Sequence, residues 1–245
     1  MVFYCLTDKG RVRRANEDYV FASDRPIGPL PNLFLVADGM GGQNAGGFAS
    51  EYCVRQVVER LRGWKEQADT PEGVEEAMHI AISSANGKVF DRARHDREKH
   101  GMGTTLVAAC ILPQTLIVAN VGDSRLYIRK DGELSQVTQD HSYVEEMVRR
   151  GELSRQSALY HSMKNRITRA IGAELSVRID FFREPVQGVD HILLCTDGLT
   201  NMVENRKMAE VLAKEEPVRQ QAEQLREMAL AAGGRDNITV ILIEP

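Results

Sequence analysis

The sequence has little of what marks a secreted, membrane-spanning or nucleic-acid-binding chain. Among its 245 residues no apolar run approaches the ~20 that a helical span needs, and the longest, TLVAACIL and TLIVANV, are strand-sized. The opening MVFYCLTDKG runs straight into charge and lacks the apolar core of a secretory leader. There are four cysteines, Cys5, Cys53, Cys110 and Cys195, with no CxxC pair. Each lies in an apolar stretch, so they read as buried free thiols in a reducing compartment, not as a disulfide framework or a zinc site. An excess of positive charge is also missing: the net charge is -4 and the pI about 5.9. That balance argues against nucleic acid and against a membrane surface. A cytoplasmic protein without an anchor is the expectation.

What is present is ordinary globular composition, 42% hydrophobic and 27% charged. The length suits one large domain, 1–245, that buries its core without staples. There is no internal repeat and no low-complexity linker. Strand-like segments fall at Leu33–Ala37, Thr105–Leu112, Thr115–Asn120, Arg125–Arg129, Leu134–Val137, Val177–Phe182, Ile192–Thr196 and Ile238–Ile243. Only Pro113-Gln114 separates the second from the third, and Lys130-Asp131-Gly132-Glu133 the fourth from the fifth. Connections that short make hairpins, hence antiparallel strands. Helical spacing runs over Ala45–Arg62, then from Thr70-Pro71 (an N-cap and a first-turn proline) through Val89, and over Glu204–Lys214 and Val218–Ala231. Hairpins with segregated helices predict an α+β fold; the other arrangement, a doubly wound α/β sheet, is disfavoured by the hairpins. The stretch Tyr143–Arg166 opens as a short helix that Gly151 can close, then loses periodicity. It reads as an excursion from the core that could shape a substrate entrance or be inert.

Asp-Gly occurs three times, in two kinds of surroundings. Asp131-Gly132 lies between short strands and reads as a hairpin turn. Asp38-Gly39 ends Leu33–Ala37, and Asp197-Gly198 ends Ile192–Thr196, so each sets an acid at the tip of a buried strand; singly, each would pass for a turn or a cap. Glu17-Asp18 precedes Tyr19-Val20-Phe21, Asp123 lies between two strands, and Asp236 stands just before the last one. If these strand ends converge, several carboxylates meet in one cleft, and their mutual repulsion is relieved by divalent cations. Carboxylates and carbonyls without paired His or Cys suit Mg²⁺ or Mn²⁺ and fit zinc poorly. Two such ions about 3.5–4 Å apart can activate a water and polarise a phosphoryl oxygen. The glycine-rich loop 39–47 lacks the Lys-Ser/Thr of a P-loop, so close backbone approach to a metal, with the Gly39 carbonyl as ligand, reads better than nucleotide cradling. Arg13 and Arg14, just upstream, suit a forked phosphate contact, or are ordinary surface arginines.

Taken in order, the motifs resemble the metal-dependent, type 2C (PPM) protein serine/threonine phosphatases, in their bacterial branch. The resemblance rests on Thr7–Arg13, Asn16-Glu17-Asp18, Val36–Gly42, Met102–Thr105, Asn120–Arg125, Gln139–Ser142, Ile167–Gly172, Thr196–Leu199 and Gly234–Thr239. It implies a sandwich of two antiparallel sheets flanked by helix pairs, and hydrolysis of phosphoserine and phosphothreonine in proteins by direct attack of a metal-bound water or hydroxide. By the same resemblance, Asp38 bridges two metals, Gly39 adds its carbonyl to one, and Asp197 and Asp236 complete the other. Asp123 holds a third, weaker ion with Asp197; Glu17 and Asp18 orient water; Arg13 binds the substrate phosphate; and about 143–166 is the flap. Many eukaryotic members carry a histidine, the proposed general acid, where Met40 stands. The proton then comes from metal-bound water or a flap residue; His161 qualifies by location only, and His141 reads as structural. The resemblance further implies work in bacterial signalling on phosphoproteins, opposite a cognate Ser/Thr kinase, and a monomer is the expectation. Two other readings stay open: a pseudophosphatase that only binds, which should have lost metal acids, and a metal-dependent hydrolase of another phosphate ester. A relative that serves a partner-switching pathway through one dedicated phosphoprotein would share the chemistry.

Overall fold

A computed structural model describes residues 1–42, 45–64, 66–154, 157, 163 and 166–245. Two antiparallel sheets lie face to face. The first runs β1 (Val2–Asp8), β11 (Ile238–Glu244), β10 (Val189–Cys195), β7 (Arg125–Lys130), β8 (Glu133–Gln136) across its width. The second runs β2 (Asp18–Ser23), β3 (Leu33–Met40), β5 (Leu106–Ile111), β6 (Thr115–Val121), β9 (Asp180–Pro185), and the two-residue β4 (Gly103–Thr104) pairs with the end of β3. Helices α1 (Ala45–Arg62) and α2 (Pro71–His95) cover the second sheet. The short α4 (Asp197–Thr200), α5 (Asn205–Leu212) and α6 (Val218–Ala231) cover the first, and α3 (Tyr143–Arg149) leads into the excursion.

Strand alternation builds three apolar layers. Along β3, Leu33, Leu35 and Ala37 face α1 and α2, whereas Phe34 and Val36 face the other sheet. Along β11, Val240 and Leu242 face α5 and α6, whereas Ile241 and Ile243 enter the layer between the sheets. A strand buried on both faces has no polar side, which is why these segments read as continuous apolar runs. The structure therefore has the expected α+β sandwich.

Several local expectations hold in detail. Thr70 caps α2, its Oγ1 accepting from Gly73 N–H at 3.1 Å. Asp131 and Gly132 adopt φ of +51° and +82°, the paired positive values of a tight hairpin turn. Others need correction. β1 was not expected as a strand: it lies at a sheet edge and is only partly buried, so its sequence carries no clean alternation. Its Cys5 is half-buried, unlike the other three thiols. The strand expected from Val177 pairs only from Asp180, because its partner β6 runs out at Asn120–Val121. Thr196 leaves its strand and stands at the N-cap position of α4, without a side-chain bond to the helix.

Candidate active site

The inter-sheet layer turns polar at one end of the sandwich. The side chains that follow Phe34 and Val36 on the same face of β3 end in Asp38, and Asp18 sits directly opposite it on β2. Thr196 and Thr239 reach Asp18 from the other sheet. Their hydroxyls donate to its Oδ2 at 2.9 and 2.7 Å, while Oδ1 is buried with no hydrogen-bond partner. An acceptor so placed fits a ligand or an oriented water. In front of Asp18 opens a cleft of about 240 Å³ whose lining includes Arg13, Glu17, Asp38, Asp123, Asp197 and Asp236, with Gly39, Met40 and Ile167. The sequence-predicted acids, spread from residue 17 to residue 236, thus come to one place.

Backbone bonds fix each of them. Asp38 N–H donates to Thr105 Oγ1 at 2.9 Å, and its carbonyl accepts from Thr105 N–H and Thr104 Oγ1, both at 2.9 Å. Gly39 is required by close approach: a Cβ there would stand 2.0 Å from the Gly46 carbonyl oxygen on the first turn of α1 and 2.6 Å from the Glu17 carbonyl oxygen. Asp197 opens α4, and Asn201 Nδ2 donates to its Oδ2 at 2.8 Å. Asn237 ties the floor together: its Oδ1 accepts from Glu17 N–H at 2.8 Å and its Nδ2 donates to the carbonyls of Lys9 and Ala15 at 2.8 and 2.9 Å. Asp123 follows Gly122, whose N–H donates to His141 Nδ1 at 3.0 Å. With Nδ1 accepting, the ring proton sits on Nε2, which faces Asp180 Oδ2 at 3.1 Å. His141 is therefore a buried structural link, as expected.

The electrostatics are strained. Burial, then the charges of Asp18, Asp197, Asp123 and Asp236, hold the Asp38 carboxyl well above the ordinary carboxylate range. Burial first, then Asp197, raises Asp123 to about 8; burial, with Asp197 and Asp236, raises Asp18 to about 7 against the hydroxyl bonds of Thr239 and Thr196. Arg13 Nη2 donates to Asp236 Oδ2 at 2.8 Å, and that bond, with the Asp236, Asp38 and Glu17 charges, pushes the guanidinium pKa up. Among the described residues no three His, Cys, Asp or Glu side chains are arranged to close on one ion. Burial and the mutual repulsion of these carboxylates both raise their pKa values, and bound cations would relieve the repulsion. The oxygen-only donor set, the unpartnered Asp18 Oδ1 and the shared repulsion together fit hard divalent cations.

The family model described as "Protein phosphatase 2C" matches residues 11–232. The chain belongs to the protein phosphatase 2C family. Among curated relatives, the serine/threonine phosphatase stp of Listeria monocytogenes is 42% identical over 97% of this chain and 93% of its own, and protein phosphatase PhpP of Streptococcus pneumoniae is 36% identical over 97% and 95%. Among solved structures, serine/threonine phosphatase Stp1 from Staphylococcus aureus superposes with a TM-score of 0.91 at 31% identity, covering 99% of this chain and 94% of that one. The PstP catalytic domain, solved in complex with two manganese ions, gives 0.84 at 31% identity, over 99% and 97%. This protein is thus a metal-dependent serine/threonine protein phosphatase, a phosphoric monoester hydrolase acting on phosphoproteins, of the bacterial type. No described helix is long and apolar enough to cross a membrane.

Sequence reasoning missed the residues that hold the acids: Thr196 and Thr239 under Asp18, Thr105 under Asp38, and Asn237. Their signal was a polar residue at an inward position of an otherwise apolar run. His161 and most of 155–165 lie outside the described residues. The roots of the excursion are described: Tyr143 N–H donates to the Arg166 carbonyl at 2.8 Å, Ser142 bridges Ile167, and Ile167 lines the cleft.

Proposed function

We propose that the cleft hydrolyses phosphoserine and phosphothreonine esters in a single displacement, with Asp38, the Gly39 carbonyl, Asp197 and Asp236 holding two divalent ions. Asp123, with Asp197, holds a third, weaker one. The observation that carries this reading is the convergence of Asp38, Asp123, Asp197 and Asp236 on one cleft, where Arg13 holds Asp236 and Arg125 offsets only part of the rise at Asp123. When bound, Mn²⁺ or Mg²⁺ supplies Lewis-acid polarisation of the phosphoryl group and acidifies the attacking water. The residues supply the rest. Asp18 and Glu17 orient water from behind and beside the ligand acids, Asp18 through its free Oδ1. Arg13 turns from Asp236 to the substrate phosphate, where its planar fork matches the equatorial oxygens. The described lining of the site offers no Ser, Cys or His nucleophile, so a phosphoenzyme is not expected. Met40 cannot donate a proton, and the leaving alkoxide takes one from solvent in the cleft or from the excursion about 143–166, which we assign as the flap.

All the family's acids are present, which counts against a pseudophosphatase, and the acidic balance counts against a nuclease. A monomeric single domain, 1–245, working in the cytoplasm against a cognate Ser/Thr kinase is the setting we propose. Hydrolysis of a phosphothreonine peptide should occur with Mn²⁺ and fail with EDTA or in Asp38→Asn; equal rates in all three would refute the metal-assisted reading.

A further inference from the structure

One wall of the cleft is built from two loops, residues 9–17 and 232–237. Arg11 N–H donates to the Gly234 carbonyl at 2.8 Å, and Asn237 binds Lys9, Ala15 and Glu17 as described above. This wall carries four exposed arginines, Arg11, Arg13, Arg14 and Arg235, in a chain whose net charge is -4. Arg13 faces the cleft and holds Asp236. The side chains of Arg11, Arg14 and Arg235 make no hydrogen bond or ion pair among the described residues. Among the described residues some arginines on other faces are engaged, Arg55 by Glu51, Arg183 by Glu72 and Glu75, Arg219 by Glu223, and others such as Arg62, Arg92 and Arg97 are not. What sets this wall apart is the grouping of its arginines on two touching loops beside the cleft. Of the acids near these loops, Asp236 is held by Arg13, and Asp8 accepts from Gly10 N–H and faces Arg226 of α6 at 4.0 Å.

We propose that Arg11, Arg14 and Arg235 form a second anion subsite beside the cleft, which takes a second phosphoryl group of a multiply phosphorylated protein segment whose first phosphoryl group lies at Arg13. This rests on the phosphatase reading and narrows its substrate class. Three permanently charged, forked donors without partners match a phosphomonoester, which carries close to two negative charges, better than a single carboxylate. Arg11 and Arg14 stand two and one residues from Arg13, within about 7 Å of extended chain. The second phosphoryl group therefore lies within a few residues of the first. Such contacts are exposed, so their effect fades as salt shortens the screening length from about 10 Å at 0.1 M to about 3 Å at 1 M.

The test uses three peptides of one sequence: a lone phosphothreonine, the same with phosphoserine two residues away, and the same with aspartate in place of that phosphoserine. Dephosphorylation of the threonine is followed by mass in Mn²⁺, for the natural chain and for the combined Arg11→Ser, Arg14→Ser, Arg235→Ser variant. Turnover of p-nitrophenyl phosphate, which has no flanking group, runs alongside. The natural chain should favour the doubly phosphorylated peptide by about tenfold in kcat/KM, mostly through KM and less in high salt. Aspartate should recover only a minor part of that gain. The variant should treat the three peptides alike and keep its p-nitrophenyl phosphate turnover. Equal kcat/KM for singly and doubly phosphorylated peptides, a preference that survives in the variant, or aspartate equal to phosphoserine overturns the subsite. Absence of turnover on p-nitrophenyl phosphate by the natural chain would sink the phosphatase reading instead.

Discussion

Replacing Asp18 by asparagine is expected to stabilise the protein in EDTA at pH 8 while weakening its response to Mn²⁺. Burial and the neighbouring charges of Asp197 and Asp236 raise this carboxyl from 3.8 to about 7. Because the folded value lies above the unfolded one, the folded state keeps a proton the unfolded chain has lost. The group's contribution is complete below about pH 4 and is lost as pH rises through about 7. The span corresponds to about 4 kcal/mol, a ceiling, because Asp38 and Asp123 titrate in the same cluster. Asparagine removes the charge and keeps an oxygen for the Thr196 and Thr239 hydroxyls. Its amide nitrogen then takes the place of the unpartnered Oδ1, at a cost of about 1–3 kcal/mol. The difference leaves about 2 kcal/mol in the variant's favour at pH 8, or roughly 5 °C in Tm for a chain of this size. Scanning calorimetry in EDTA between pH 5 and 8 checks it. The natural chain should lose stability across that range, the variant less, and Mn²⁺ should raise the natural chain's Tm more than the variant's. A natural chain whose Tm is flat with pH, or a variant no more stable than it at pH 8, would show that the carboxylate cluster is not under strain.

Three further outcomes follow from the same geometry. Arg13→Ala should raise KM for a phosphopeptide about tenfold with kcat nearly kept; a fall in kcat alone would confine its role to the transition state. Asp123→Asn should slow turnover while calorimetric titration still finds two Mn²⁺ bound, and loss of both ions would join what are proposed as separate sites. Gly39→Ala places a methyl 2.0 Å from the Gly46 carbonyl oxygen, so α1 must back away from β3. A loss of about 3 kcal/mol or more is expected by chemical denaturation, and an unchanged midpoint would mean that the approach is not as close as described.

The sandwich was legible because its strands are buried on both faces and its hairpins are short, two signals that survive in a single sequence. β1 was not recognised as a strand: its short apolar run Val2–Leu6 has no alternation and gives way at once to charge. The acids of the site could be found one by one, yet Asp38-Gly39 and Asp131-Gly132 look alike as dipeptides. Their flanking runs and the company of the other acids tell them apart in the sequence, and the register of β2 on β3, which sets Asp18 against Asp38, shows the difference in space. Thr196 and Thr239 could not be assigned a role beforehand, because what matters about them is the acid they face across the sandwich. Arg13 was read as a phosphate contact; its bond to Asp236 depends on two loops meeting, which no local pattern encodes.

The hydroxyls that hold Asp18 come from residues 178 and 221 positions away along the chain. That separation gives the site a place in time as well as in space. A chain under synthesis can fold α1 and α2 onto the second sheet's β2, β3, β5 and β6 while it still lacks Asp197, Asp236 and both threonines. Until β11 inserts between β1 and β10, it holds an unpaired sheet edge and a half-built cleft with Asp18 and Asp38 facing each other unsupported. Long-range pairing of this kind forms late. Placing the last of these acids beside the first thus means that no part of the fold short of β11 carries the whole site.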